Sequence, residues 1–257
     1  MRYRLGVWVQ GKSAWIDQDV WEACSHPEKL KNLRKEKCWV SVDLSSNEDT
    51  TALTACFPVQ NKKTQKWEFK FISKIYCPEE MIIARSRSAS VRYDIWAEEG
   101  DIIATPGPVV DHEYVFSDLC KFIEDYDVQM FSYDRRFSDW IIQKIQDTFP
   151  DLEMDPFGQG TASMSSPTKA FYRALKMKQV IHAGTEVLGW QASNAIAEEN
   201  SGGEIKLNKA MSKDKIDVII SMIMAFARAN LYAEQNNYSS YYESEEYKKL
   251  MEKQNGK

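Results

Sequence analysis

The chain has 257 residues, 43% of them apolar and 28% charged, which suits one large domain with a sizeable core, or one domain with added end segments. No apolar run approaches the roughly 20 residues that cross a bilayer, and MRYRLGVWVQ lacks the apolar stretch and small-residue cleavage site of a secretory signal, so a cytoplasmic protein is expected. A net charge of −5 excludes a protein that coats nucleic acid by bulk charge, though not a nucleic-acid enzyme with local basic clusters.

Residues 1–37 combine an aromatic-rich opening with the charged stretch HPEKLKNLRKEK and read as a linker-like segment. Inside it, GVWVQGKS (6–13) satisfies the phosphate-loop pattern GxxxxGK[ST]. That pattern works only between a strand and a helix. Five residues precede Gly6, barely a strand, and Val7, Trp8 and Val9 are bulky where close phosphate approach favours small side chains. No ATPase motor is expected in this chain.

From Lys37 the character changes. CWVSVDLS (38–45), TTALTACFPV (50–59) and WEFKFISKIY (67–76) read as strands, joined by the turn-forming SSNED and NKKTQ into an antiparallel meander. Residues 78–100 then read as a helix with Pro78 near its start and Gly100 at its end, and 102–110 as an extended piece. An amphipathic helix at 113–126, a buried strand at 128–134 and a helix at 137–149 follow. A helix at 166–178 has Pro167 near its first position; a short strand at VIHAG, a helix at 186–200 and a strand in GEIKLNKA come next. Residues 215–232 form the strongest helix of all. A meander followed by strands alternating with helices predicts an α/β fold: a mixed central sheet, antiparallel then parallel, with helices on both faces. The domain is expected over 38–232, with the polar stretch 233–257 as a mobile tail or solvated helix.

The five cysteines are scattered without a CxxC pair and the three histidines lie far apart. A metal site in this chain therefore has to be built from carboxylates, which favours Mg²⁺ or Mn²⁺ over zinc. Three acids stand out. Asp43 ends the apolar strand WVSVD, where a carboxylate points into the crevice at the end of an open α/β sheet, although a turn-forming Asp fits as well. Asp134 repeats the pattern in MFSYD before Arg135 and Arg136, and a helix N-cap is the alternative. Asp217 lies one residue from the stripe of Ile216, Ile219, Ile220, Ile223 and Phe226, beside Asp214 and Ser221 at i−3 and i+4, and a helix-dipole role is its plainer reading. Two strand-end acids and one on a late helix converge at one edge of a mixed sheet and supply the oxygens that two divalent cations need.

VSVDLSSNEDTTAL, FSYDRRFSDWI and the SNA and KIDVIISMIMAFARA segments, in order over roughly 40–230, resemble the nuclease half of tailed-phage large terminase subunits. The tryptophan-rich opening looks like the stretch that joins the motor half to the nuclease half. The resemblance implies a ribonuclease H-like fold, with the three metal-binding aspartates at Asp43, Asp134 and Asp217 and a helper acid at Asp49. The position after the last aspartate, often glycine in the family, is Val218 here. The resemblance further implies an endonuclease that cuts concatemeric double-stranded DNA with two Mg²⁺ or Mn²⁺ ions in the host cytoplasm. Its implied partners are the portal protein, the small terminase subunit and an upstream ATPase domain; in isolation the domain is expected to be a monomer. A Holliday-junction resolvase or transposase-like enzyme of the same fold, and a non-catalytic DNA- or portal-docking module with structural acids, stay open.

Most basic clusters read as solvated faces: Lys62 to Lys74 on the hairpin, Arg135 with Arg136, Lys169 to Lys178, and Lys206 with Lys209. Lys213 and Lys215 are singled out as phosphate contacts because they adjoin Asp217, and Asp214 as its neighbour. His182 and Asn194 fall in family-like segments without an assigned chemistry, and His182 reads as a satisfied group near the core.

Overall fold

The computed structural model describes residues 14–44, 50–87, 91–136 and 140–243. The GVWVQGKS motif and Asp49 lie outside the described residues. In chain order the elements are α1 (Gln18–Glu22), β1 (Lys37–Asp43), β2 (Thr51–Gln60), β3 (Trp67–Pro78), α2 (Glu79–Arg87), α3 (Tyr93–Glu98), β4 (Ile103–Thr105), α4 (His112–Asp125) and β5 (Asp127–Asp134). Then come α5 (Trp140–Thr148), β6 (Glu153–Phe157), α6 (Thr161–Lys176), β7 (Val180–Ile181), α7 (Glu186–Asn194), β8 (Ala197–Glu199), β9 (Ile205–Leu207) and α8 (Asp217–Glu243).

The expected mixed sheet is present. β1, β2 and β3 form an antiparallel meander, and β5 and then β6 add in parallel on the far side of β1. β4 and β7 both pair in parallel with β3, giving the order β4-β3-β2-β1-β5-β6.

Strand alternation sorts β1 between two cores. Cys38, Val40 and Val42 face the layer of α4 and α5, packing with Leu53, Phe57, Leu119, Phe122 and Ile145. Trp39 packs on the opposite side, in the core that holds α8, and Ser41 and Asp43 follow it at the same spacing. Residues 218–226 of α8 are buried all round, as in a helix enclosed by a domain rather than lying on its surface. Phe226 meets Phe69 of β3 and Phe171 of α6 edge-on, at 4.7 and 5.4 Å between ring centres. Ile16, Trp21 and Cys24, ahead of β1, are buried in the same core.

Several boundaries differ from expectation. The helix expected over 78–100 is two helices, α2 and α3, and the extended piece over 102–110 pairs only at β4. β6 was not foreseen: EMDPF carries two acids and a proline, a composition tolerated because this is an edge strand. α6 begins at Thr161, so Pro167 lies inside the helix rather than in its first turn. The helix expected to reach residue 200 stops at Asn194, because Ala195 turns extended (ψ 124°), and the β8–β9 hairpin takes over. α8 starts at Asp217 rather than Lys215 and continues to Glu243. Among the described residues no helix is long and apolar enough to cross a membrane.

Candidate active site

Asp43 closes β1 and Asp134 closes β5, two parallel neighbours in which Ser41 pairs with Ser132 and Val42 with Tyr133. Continued one step, that register sets Asp43 level with Asp134 on strands roughly 4.8 Å apart. Asp217 is the first residue of α8, which crosses the same face of the sheet.

Three sets of contacts hold α8 at this height. Ser41 Oγ donates to the Ser221 carbonyl at 2.6 Å, and Ser221 Oγ donates to the Ser41 carbonyl at 3.1 Å. Small side chains at both positions are what allow helix and strand backbones to come so close. Further along, Arg228 donates to both oxygens of Asp155 in β6 at 2.7 and 2.8 Å, and Ser132 donates to the same carboxylate at 2.8 Å. At the helix start, the Val218 N–H donates to Gln191 Oε1 of α7 at 2.9 Å. Val218 is thus fully buried and anchored through its backbone.

Asp43 is 1% exposed and Asp217 3%, so both carboxylates need partners. They share one: Lys209 Nζ sits 2.6 Å from Asp43 Oδ2 and 2.8 Å from Asp217 Oδ1. Gln159 Nε2 donates to the other Asp43 oxygen at 2.8 Å, and the Thr50 hydroxyl donates to the other Asp217 oxygen. Burial pushes the Asp43 carboxyl up to about 6; the Lys209 ammonium opposes that shift and the Asp217 charge adds to it. Burial also works to lower the Lys209 pKa, but the two carboxylates outweigh it and hold the ammonium above its ordinary range. Asp134 is buried too, and its Oδ1 accepts the Arg136 backbone N–H at 3.0 Å, fixing the turn that ends β5.

The structure therefore joins Asp43 to Asp217 through the Lys209 ammonium, with Asp134 beside Asp43 along the sheet edge. Among the described residues, no group of three or more carboxylates, histidines or cysteines stands close enough together to hold a metal ion. A cleft of about 310 Å³ opens next to Asp217, lined by Arg85, Lys209, Ser212, Lys213 and Lys215. Asp214 does not share a helical face with Asp217, because α8 starts three residues later; it is gripped by Arg85 at 3.0 and 3.2 Å. Three site residues escaped the reading of the sequence. Lys209 looked like any member of a basic cluster, and Gln159 and Thr50 lie in a Gly-Gln-Gly loop and a strand approach that carry no charge signal.

His182 and Asn194 have structural duties. Asn194 Nδ2 donates to the Lys215 carbonyl at 3.3 Å, bracing the loop that leads to Asp217. The His182 ring stacks on Trp21 at 4.0 Å, donates through Nε2 to the Trp21 carbonyl at 3.0 Å and accepts the Gly184 N–H at Nδ1. It adjoins the larger cavity, about 430 Å³, between α1 and α7, which contains none of the three acids. Burial lowers its pKa to about 4; the Trp21 carbonyl opposes the shift and His26 adds to it. The folded value lies below the unfolded one of roughly 6.5, so the unfolded chain takes up the proton first. Stability present above pH 6.5 is then lost as pH falls toward 4, roughly 2 kcal/mol of it by pH 5. Asp43, raised to about 6, shifts stability the opposite way over the same range, so the measure is the difference: between pH 7.5 and 5, urea melts are expected to show the wild type losing roughly 2 kcal/mol relative to His182→Gln.

The model for the family described as "Terminase large subunit, endonuclease domain" matches residues 1–233. The large terminase subunit of Enterobacteria phage HK97 is 27% identical over 222 residues, covering 86% of this chain and 42% of that protein. Protein YmfN of Escherichia coli (strain K12) is 22% identical over 248 residues, covering 93% and 54%. The chain spans about half the length of the curated relatives it matches. Among solved structures, the HK97 large terminase superposes with a TM-score of 0.70 at 26% identity, over 83% of this chain and 43% of that one. The large terminase nuclease of thermophilic phage G20c superposes with a TM-score of 0.52 at 9% identity, over 84% and 98%, a likeness of fold alone. The fold is that of the ribonuclease H-like terminase nucleases, and the chain belongs to the terminase large subunit endonuclease-domain family.

Proposed function

We propose that this chain is a metal-dependent endodeoxyribonuclease that cuts concatemeric double-stranded DNA during viral genome packaging. The observation that carries the reading is that two buried carboxylates from separate elements, Asp43 and Asp217, converge on a single cation, with a third acid on the adjacent parallel strand. The donors are all carboxylate oxygens and the Lys209 ammonium already stands as a cation between two of them, so the set fits hard divalent ions, Mg²⁺ or Mn²⁺. A G20c nuclease has been crystallised with bound magnesium. Asp43, Asp134 and Asp217 would hold two such ions, which, when bound, supply an acidified water and offset charge on the departing oxygen.

The remaining work falls to the chain itself. Gln159 and Thr50 orient the outer oxygens of Asp43 and Asp217. The Ser41–Ser221 and Arg228–Asp155 contacts keep α8 from sliding along the sheet. Beside the Arg85–Asp214 ion pair, Lys213 and Lys215 give the adjoining cleft the positive rim that draws in DNA phosphates. Asp49 is assigned its helper role on the family resemblance alone. The portal protein, the small terminase subunit and an upstream ATPase domain remain the proposed partners, the host cytoplasm the proposed location, and a monomer the proposed state of the isolated domain.

The test is degradation of a plasmid in Mn²⁺, Mg²⁺ or EDTA, with Asp43→Ala, Asp134→Ala and Asp217→Ala alongside. Cutting is expected only with metal and in none of the three variants, and linear duplex is expected to be cut as readily as a four-way junction. A preference for the junction would move the assignment to a resolvase. One observation favours a second reading: Lys209 already bridges Asp43 and Asp217, as it would in a docking module with structural acids. Mn²⁺ that finds no site on the protein would decide for that module.

A further inference from the structure

Lys209 makes short contacts to two proposed metal ligands and has no part in the hydrolysis described above. It sits on the turn between β9 and α8, and that turn is firmly built. Asn208 Oδ1 accepts the N–H groups of Ala210 and Met211 at 2.9 and 3.1 Å, and the Asn208 carbonyl accepts both the backbone N–H and the hydroxyl of Ser212. The turn is tied to Ile196 through the Asn208 N–H at 3.0 Å and Ser212 Oγ at 3.3 Å. The backbone thus aims Lys209 at the acids. Its side chain is nevertheless 45% exposed, with the stem along the open cleft and only the ammonium seated between the carboxylates. A flexible four-carbon stem in that setting can leave without any rearrangement of the turn.

The ammonium, 2.6 and 2.8 Å from Asp43 Oδ2 and Asp217 Oδ1, fills the space between the two carboxylates that a cation held by both would take, and its charge repels a divalent ion. We infer that Lys209 is a built-in competitor of the metal ions, pairing with the two buried acids when metal is absent and vacating them when a divalent ion is held there. The device serves two ends. It keeps two buried carboxylates paired in the metal-free protein, and it weakens metal binding until phosphates entering the cleft offer the ammonium another anion. The inference rests on the reading that Asp43 and Asp217 are metal ligands.

Mn²⁺ titration of the DNA-free protein, followed by the paramagnetic resonance signal of the free aqueous ion, tests it. Lys209→Met keeps the stem and removes the charge, and is expected to bind Mn²⁺ roughly tenfold to a hundredfold more tightly than the wild type. The gain should vanish in Lys209→Met/Asp217→Asn. In EDTA, Lys209→Met should melt below the wild type, and Mn²⁺ should raise its melting temperature by more than it raises that of the wild type. Should Lys209→Met be too unstable to titrate, Lys209→Arg decides, because a planar fork grips both carboxylates more firmly and should weaken Mn²⁺ binding. Equal or weaker Mn²⁺ binding by Lys209→Met, or equal or tighter binding by Lys209→Arg, overturns the inference and leaves the nuclease reading standing. Absence of bound Mn²⁺ in every variant removes both.

Discussion

Asp217→Asn is expected to cut plasmid DNA at least roughly 10²–10³-fold more slowly than the wild type in Mn²⁺, the scale of loss when one preorganised electrostatic contact is removed from a reacting centre. The same substitution is expected to leave the melting temperature in EDTA unchanged or to raise it. The reason lies in the local charge count. Asp43 and Asp217, both buried, share one ammonium, which leaves an excess negative charge between two groups out of water. That excess is part of what pushes the Asp43 carboxyl up to about 6, after burial itself. An asparagine can turn its single amide oxygen to Lys209 and donate its NH2 to the Thr50 hydroxyl, which accepts as well as donates, and it leaves Lys209 and Asp43 as a balanced pair. A residue kept for stability would show the reverse, a lower melting temperature with cleavage falling only in step with the folded fraction. Comparing initial cleavage rates with thermal melts of the same preparations distinguishes the two cases, and melting that falls together with activity would argue that Asp217 serves the fold.

The parts of this architecture that could be read from the sequence follow strict periods. Cys38, Val40 and Val42 alternate with Trp39, Ser41 and Asp43, so the acid at the strand's end inherits a definite face. MFSYD repeats the pattern, and because β5 pairs with β1 in parallel, the two acids finish level. Asp217 was visible as an acid where residues 216–226 are otherwise almost wholly apolar. What could not be read is set by contacts between distant parts of the chain. Lys209 lies in a polar turn 166 residues from Asp43, and nothing local separates it from Lys206 or Lys213; the hairpin that aims it joins β9, read as a strand in GEIKLNKA, to β8, which lies in a stretch that reads as helix. Gln159 was hidden for the same reason, since its loop gains meaning only once β6 is known to exist. β6 itself, rich in acids and holding Pro156, offers no alternation to find and stands in the sheet because Phe131, Ser132 and Tyr133 present a free strand edge.

β6 also carries one of the contacts that position α8, the Asp155–Arg228 ion pair. Arg228→Met is expected to destabilise the domain by about 2–4 kcal/mol, somewhat under the range for breaking a fully buried ion pair, because Arg228 is 31% exposed and Asp155 15%. The cost arises chiefly from Asp155, which keeps only the Ser132 hydroxyl and remains a largely buried carboxylate. Asp155→Leu added to Arg228→Met removes that stranded charge and should recover much of the loss, since an apolar pair in such a place is often close to neutral. Urea melts of the two single variants and the double variant give a coupling free energy, expected above about 1 kcal/mol for groups in direct contact; a value near zero would mean the pair is screened and does not clamp the helix. Cleavage carries the second half of the prediction. Arg228 lies three turns from Asp217 on one rigid helix, so loosening it lets that helix tilt against β1 and β5. Displacement of a reacting group by about 1 Å costs on the order of 10²-fold in rate. Arg228→Met should therefore cut far more slowly than its folded fraction accounts for at temperatures where it remains folded. The remaining reciprocal pair, Ser41 with Ser221, then acts as the pivot, holding helix to strand only four residues from Asp217.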